Sequence, residues 1–394
     1  MTKGRKGNHE GSIYKDKQGR WRGLVSMPSV NGKYKRKYIY GKTRKEVSEK
    51  VNAILNELRT NTYIEPCKTT LYDWLCTWLD TYCKNEIRMT TYVNYETYVH
   101  KHIKNTIGGY CLCDLNTILI QQFYNDKSKN GRLDGKGGLS PKTMKNMHNM
   151  LHHALDKAVQ LEMIKKNCTD ATVLPKCTKP EIRYFTAEEQ KQLQESIKGE
   201  RLEMAVLLCL YTGLRQGELL GLPWSNVHIE LNGNSYIKIT QALIRTRNPD
   251  TNAPKRTFLR ITQPKTKHSI RTIPLLPKIA VMLNKYRQEQ EKYLSENHIP
   301  DTGLVFTSAK GKEYDPRDFQ RDFKNLLKRH GLRDIGVHGL RHSFATRSLQ
   351  SGMSVKTLSA ILGHNSCSFT MDVYCHTDDD ITANEISCLN NMLD

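Results

Sequence analysis

The sequence lacks any apolar run long enough to cross a membrane. Its longest, Met204–Tyr211, has eight residues, against the ~20 that a bilayer-spanning helix requires. No charged–apolar–small segment of the secretory kind opens the chain, and no long basic amphipathic helix suited to a lipid surface is evident. No C-x-x-C pair occurs among the 11 cysteines. Odd in number and scattered, they read as reduced thiols of a cytoplasm, most of them packing. Acidic residues are the minority, 40 against 61 Lys and Arg, which leaves a net charge of +21. These shortages argue against a membrane or disulfide-built protein, and the surplus of positive charge indicates a polyanionic partner. At 394 residues the chain has length for two or three domains.

The charge is uneven. Residues 1–66 carry 16 Lys and Arg against 6 Asp and Glu, a net +10. Three strand candidates, 11–15, 20–26 and 33–40, are separated by turn signals around Gly19 and at Asn31-Gly32. Alternation along the third puts Tyr34, Arg36, Tyr38 and Tyr40 on one face and Lys33, Lys35 and Lys37 on the other. A cationic face interleaved with aromatics suits a strand ribbon laid into a DNA groove. Arg20, Arg22, Lys33, Lys35, Arg36 and Lys37 are therefore the candidate DNA contacts, although a solvated edge that deters aggregation would show the same charges. Thr43 caps a helix over 44–58 whose Val47, Val51, Ile54, Leu55 and Leu58 cover one face of the sheet.

Residues 67–166 are expected to be helical. Leu71, Trp74, Leu75, Trp78, Leu79 and Tyr82 fall at helical spacing, further helices open near Thr90 and Thr117, and Ser140-Pro141 starts a fourth. In that last helix Met144, Met147, Leu151, Leu155 and Ala158 are predicted core, while His148, His152 and His153 read as a polar rim rather than ligands. Residues 167–183 hold two prolines and no period, the best linker candidate.

The third region, 184–394, opens on a capping box at Thr186 and Glu189. A buried helix over Met204–Tyr211 ends at Gly213, and Arg215 begins a short helix with Glu218 one turn on, a carboxylate placed to orient a neighbour. Strands are expected at 226–231, 235–244 and 304–306. A ribbon of 257–263 with 269–274, joined through 264–268, is expected too, as are helices over 277–295 and 315–330. The stretch 336–376 concentrates polar groups able to hold and attack a phosphodiester. A helix starting at Gly339 brings His338 and Arg341 to its N-terminal end, an anion-binding position. Ser354 caps a helix over 355–362, Gly363 ends it, and His364 stands at the exit. Tyr374 lies in a polar-flanked segment rather than on an apolar face. His338 and His342, four apart, could hold zinc, but HGLRH lacks the intervening Glu of a zinc-protease helix, so no metal and no other cofactor is expected.

The ordered set His338, Arg341, Leu362-Gly363-His364 and Tyr374 resembles the C-terminal boxes of the tyrosine recombinases, the phage and transposon integrases. Thr212-Gly-Leu-Arg215-x-x-Glu218-Leu is similar to the family's first Arg box. Pro264-Lys265-Thr266 before an Arg-x-Ile-Pro strand looks like its lysine turn, which implies a catalytic role for Lys265, with Lys267 as rival. The resemblance extends over nearly the whole chain and implies a multidomain α+β architecture. An arm-type DNA-binding domain of three strands plus helix would occupy 1–66, a helical core-binding domain 67–166 and a linker 167–183. The mostly helical catalytic domain, with a small antiparallel sheet, would occupy 184–394 and end in a tail helix over 378–394. It further implies that the core-binding domain clamps the duplex, with Lys142 and Lys145 on phosphates. The arm, the 245–256 excursion and the Pro-Lys-Thr lysine look closest to integrases of Gram-positive conjugative transposons.

Arg215 and Arg341 can each take a non-bridging oxygen of a phosphodiester and stabilise the charge that builds on attack. His364 can donate a further hydrogen bond, and Tyr374 is the nucleophile. His338 is a candidate acceptor for its proton, since an unperturbed imidazole titrates near ~6.5. Lys265 would protonate the leaving 5′-oxygen, giving a 3′-phosphotyrosine that a second 5′-hydroxyl can reverse. The expected activity is site-specific recombination of a mobile element. A topoisomerase using the same chemistry within one duplex and a non-catalytic DNA-binding protein are the alternatives. Expected partners are double-stranded DNA at element ends and target site, further copies of the chain in a tetramer with the tail docked in trans, and an accessory DNA-bending or excision factor. The expected location is the bacterial cytoplasm, at the nucleoid.

Overall fold

Side-chain caps set the helix starts along much of the chain. In the computed structural model Thr43, Thr70, Asn116, Ser140, Thr186, Asp315 and Ser354 each accept a hydrogen bond from a backbone N–H of the first turn they precede. The structure describes residues 11–27, 36–60, 63, 68–177, 182–230, 233–248, 256–263, 270–364 and 366–374. Lys33, Lys35, Lys265, Lys267 and the expected tail helix 378–394 lie outside the described residues. The chain divides into two compact units, Met1–Thr178 and Lys179–Asp394.

In the first unit, strands β1 (Ser12–Lys15), β2 (Trp21–Ser26) and β3 (Arg36–Gly41) form an antiparallel sheet in that order. Helix α1 (Arg44–Arg59) covers it, Val47 and Val51 packing on Val25 and Ile39. Gly23 lets the helix approach closely: a Cβ there would meet Val51 at 2.5 Å and Val47 at 2.9 Å. The face assignment differs from the simple cationic one. Lys37 alternates onto the side of Ile39, which is buried, and its Nζ donates to the Tyr63 hydroxyl at 2.8 Å. The open face is instead built of tyrosine and arginine. Arg22 pairs across with Tyr14 and Tyr40 and lays its guanidinium 3.7 Å from the Tyr38 ring centroid. The apolar covering helix decides which face is left to solvent.

Helices α2 (Leu71–Trp78), α3 (Met89–Thr97), α4 (Thr117–Asn130) and α5 (Pro141–Gln160) make a bundle, with π-helical turns Leu79–Cys83 and Tyr98–Ile103 continuing the first two. Met144, Met147, Leu151, Leu155 and Ala158 are fully buried in its core with Leu71, Leu75 and Ile120. The histidine rim is satisfied locally. His148 meets the Tyr124 hydroxyl, and His152 sits between Asp156 at 2.9 Å and Asp170 at 3.2 Å. Asn167 binds back to His152 and Asp156, so the chain leaving α5 is held against the bundle.

The second unit begins with α6 (Ala187–Ser196), whose capping box joins Thr186 and Glu189. Helix α7 (Glu203–Thr212) is buried nearly all round and forms the centre of the main core. It is followed by α8 (Gln216–Leu220). The sheet content differs from expectation. Strands β4 (Val227–His228), β5 (Tyr236–Ile239) and β8 (Arg271–Pro274) form one antiparallel sheet, and β6 (Ala242–Arg247) with β7 (Thr257–Thr262) forms another. The expected strand over 235–244 is thus two strands in different sheets, and β7 and β8 are not a ribbon. Register explains it: β8 alternates buried and exposed residues against β5, with Ile237 opposite Ile273, so its apolar residues join the core. Residues 304–306 make a single bridge, Leu304 to Pro223, rather than a strand. Helices α9 (Pro277–Glu296), α10 (Pro316–Arg329), α11 (Gly336–Gln350), α12 (Val355–Leu362) and α13 (Cys367–Tyr374) complete the unit. No described helix is long and apolar enough to cross a membrane.

Candidate active site

Two left-handed glycines bring the charged groups together. Gly213 ends α7 with φ +64 and Gly363 ends α12 with φ +63, a region that L side chains adopt at a cost. A Cβ on Gly213 would collide with Phe344 at 2.5 Å, and one on Gly363 would press on Arg271 at 3.1 Å. The carbonyls turned out by these breaks are used. Arg341, on α11 and 2% exposed, donates to Gly213 O and to Leu362 O, each at 2.7 Å. Arg215, at the start of α8, donates to Gly363 O at 3.2 Å.

Glu218 ties the cluster. Its carboxylate takes Arg215 Nη1 at 2.9 Å and the Arg271 guanidinium at 3.0 and 2.8 Å. Burial acts to raise the carboxyl, but the hydrogen bonds and charge of Arg271, aided by Arg215, outweigh it and hold it down at about 2. Three guanidiniums around one carboxylate leave a net positive pocket. Arg215 is the accessible member, its side chain 38% exposed, whereas Arg271 and Arg341 are enclosed. Burial, then Arg215, pulls Arg341 down to about 9, so it stays charged at neutral pH.

His364 leaves α12 with Nε2 2.9 Å from Arg341 Nη2 and Nδ1 2.8 Å from the Thr370 hydroxyl. The arginine can only donate, so these partners place the imidazole proton on Nδ1. Burial, then Arg341, lowers His364 to about 4, which keeps it neutral. His338 reaches solvent at the edge of the cluster; desolvation and the charges of Arg341 and Arg215 lower it as well.

Tyr374 is the last residue of α13 and is 4% exposed, packed with Phe344, Leu358 and Leu362. The polar-flanked setting expected for it is thereby corrected: the ring is core and the hydroxyl alone faces the polar cluster. Burial raises the phenol to about 12, an effect that Arg341 and Arg215 only partly offset. The imidazole at hydrogen-bonding distance from this hydroxyl is that of His342, with Nδ1 at 2.8 Å, rather than that of His338. His338 packs edge to face on His342 at 4.6 Å between ring centroids. Helix α11 begins at Gly336, three residues earlier than expected, so His338 and His342 are on successive turns of one face. The structure therefore gathers Arg215, His338, Arg341, His364 and Tyr374. Two members were not foreseen. Arg271 was signalled only as part of an Arg-x-Ile-Pro strand, and His342 only as the second histidine of HGLRH.

The phage integrase family pattern matches residues 183–380, which contain this whole cluster, and the N-terminal SAM-like domain of phage integrases matches 70–128. The chain belongs to the phage integrase family of tyrosine recombinases. The recombinase is 33% identical over 375 residues to a tyrosine recombinase XerC-like protein of Caldanaerobacter subterraneus subsp. tengcongensis, covering 92% of this chain and 93% of the relative. It is 27% identical over 300 residues to the ICEBs1 integrase of Bacillus subtilis, 75% of this chain and 76% of that one. Among solved structures it shares its fold with the Tn1549 transposon integrase in complex with transposon right end DNA. The TM-score is 0.66 at 20% identity, over 82% of this chain and 99% of that one. Of the recombinase's candidate DNA contacts, Arg20, Arg36, Lys142 and Lys145 are exposed, and Arg22 lines the open tyrosine face.

Proposed function

We propose that this recombinase exchanges DNA strands of a mobile element through a 3′-phosphotyrosine formed by Tyr374. The observation that carries this reading is the placement of a single buried phenol at the edge of the Arg215–Arg341–His364 cluster. A phosphodiester resists attack because its non-bridging oxygens repel a nucleophile. Arg215 and Arg341 neutralise them and stabilise the pentavalent transition state, in an enclosed site where fixed donors act strongly. His364 and His338 complete the set of polar groups around the phosphate. Lys265 protonates the leaving 5′-oxygen; its position six residues before Arg271, which is anchored in the cluster, supports that role.

The chain offers one Tyr374, and exchange between two duplexes breaks four strands, so four chains act together. In that assembly the tail 378–394 docks in trans and an accessory DNA-bending or excision factor selects the direction. The arm face around Arg22, Tyr38 and Tyr40 and the exposed Lys142 and Lys145 hold double-stranded DNA at element ends and target, in the cytoplasm at the nucleoid. The test is a nicked oligonucleotide carrying the element's own end. The protein forms a covalent adduct, and Tyr374→Phe forms none while still binding. A two-site plasmid then yields recombinants rather than relaxed circles alone.

A further inference from the structure

We propose that His342 is a catalytic residue of the strand-cleavage step, accepting the Tyr374 proton through Nδ1 as the phenol attacks phosphorus. This rests on Tyr374 being the nucleophile. The two groups belong to different helices: Tyr374 ends α13 and His342 lies in α11, yet their polar atoms are 2.8 Å apart. The phenol is fixed by Phe344, Leu358 and Leu362 around its ring, so the contact is built by packing. A phenol has one proton. Directed at Nδ1, that proton is already aimed at the imidazole that takes it up as the oxygen attacks.

His342 is fit to accept. Among the described residues, the charged and titratable groups that bear on it are His338 and Arg341 from α11 and Tyr374 from α13. Burial, then His338 and Arg341, keeps it neutral, lowered to about 4. In the tautomer with its proton on Nε2, which the proposal requires, Nδ1 presents a lone pair to the hydroxyl. Such a base is weak against a phenol raised to about 12, so the transfer is concerted with bond formation rather than complete beforehand. A bound phosphate contributes here. Its negative charge on Arg341 and Arg215 offsets part of the positive field that depresses the imidazole, so basicity rises when DNA occupies the site.

In the step, the Tyr374 Oη–P bond forms and the P–O5′ bond breaks. The phenolic proton passes to His342 Nδ1, and the departing 5′-oxygen takes its proton from a separate donor, Lys265 above. In reversal the incoming 5′-hydroxyl attacks phosphorus and gives its proton back to the same donor, the Oη–P bond breaks, and the His342 proton returns to the phenol oxygen.

The experiment uses full-length protein and two nicked substrates, one a normal phosphodiester and one with sulfur as the bridging 5′ atom. A thiolate leaves without a proton, so the sulfur substrate rescues defects in the leaving-group acid and no others. His342→Asn keeps an acceptor near the Nδ1 position without basicity, and His342→Ala removes it. We expect both to slow single-turnover cleavage by ~100-fold or more on both substrates. Their rates should climb with pH as the phenol ionises, while the wild-type rate is level between about pH 6 and 8. Circular dichroism melts confirm that the variants are folded. The proposal is overturned if His342→Asn cleaves within tenfold of wild type with an unchanged pH profile, or if the sulfur substrate restores its rate. Tyr374→Phe serves as a separate control. An adduct that survives in it refutes the proposed nucleophile itself, whatever the His342 variants do.

Discussion

Glu218 and Arg271 form a bidentate ion pair, at 3.0 and 2.8 Å, in which both side chains are almost fully enclosed. This pair fixes β8 against the start of α8, and through the second contact of Glu218 it orients Arg215. Removing one partner of such a pair strands a buried charge at a cost of about 3–5 kcal/mol. Glu218→Gln is therefore expected to lower unfolding stability by that order in a urea titration, and to lose cleavage because Arg215 is no longer held. A variant as stable as wild type would mean that the pair does not organise the site.

Arg341 cannot be replaced by lysine. Its guanidinium reaches Gly213 O, Leu362 O and His364 at once, a fork that one ammonium cannot reproduce. Arg341→Lys keeps the charge but is expected to slow adduct formation by ~10²–10³-fold, with DNA affinity by gel shift little changed. Cleavage within tenfold of wild type would show that charge alone suffices.

Acid should loosen the catalytic unit in a defined order. His342 and His364 are both lowered to about 4 in the fold, against ~6.5 in an unfolded chain. The unfolded state thus takes up protons first, and the stability these residues contribute, complete above about pH 6.5, drains as pH falls toward 4. Glu218, held at about 2, has its contribution intact above its unfolded value of ~4.3 and loses it between there and 2. The melting midpoint should fall between pH 7.5 and 4.5, and fall less in His342→Asn. Equal falls in the two proteins would contradict the assignment.

A side chain at Gly363 carries two costs. With φ +63 and Arg271 atoms 3.1–3.3 Å from a built Cβ, Gly363→Ala should cost about 1–2 kcal/mol from backbone strain and more through displacement of Arg271. Denaturant midpoints measure the first effect and cleavage rates the second. A neutral substitution would show that the turn can relax.

Much of this site was legible because its signals are local. Ser354 and Gly363 bound a helix of eight residues, Gly213 closes α7, and the chain breaks place Arg215 and His364 without any knowledge of the tertiary fold. What escaped depends on distant pairing. Residues 257–263 and 269–274 look like a ribbon, but β8 pairs with β5 and β7 with β6, a choice made by apolar burial that adjacency does not reveal. Lys37 reads as part of a cationic face in the sequence, but α1 covers the side on which it lies. His342 is 32 residues from Tyr374, and only the packing of α13 on α11 and α12 makes them partners. Tyr374 itself, in a segment that runs on into His376, Asp378 and Asp379, gives no clear sign of its buried ring.

The most direct test of the account is recovery of the protein–DNA adduct. After reaction with a nicked element end, protease digestion and mass spectrometry should yield one nucleotide-bearing peptide, modified at Tyr374 through a 3′-phosphate, and none from Tyr374→Phe. Cleaved DNA with free 3′ ends, or a nucleotide carried on any other residue, would contradict it.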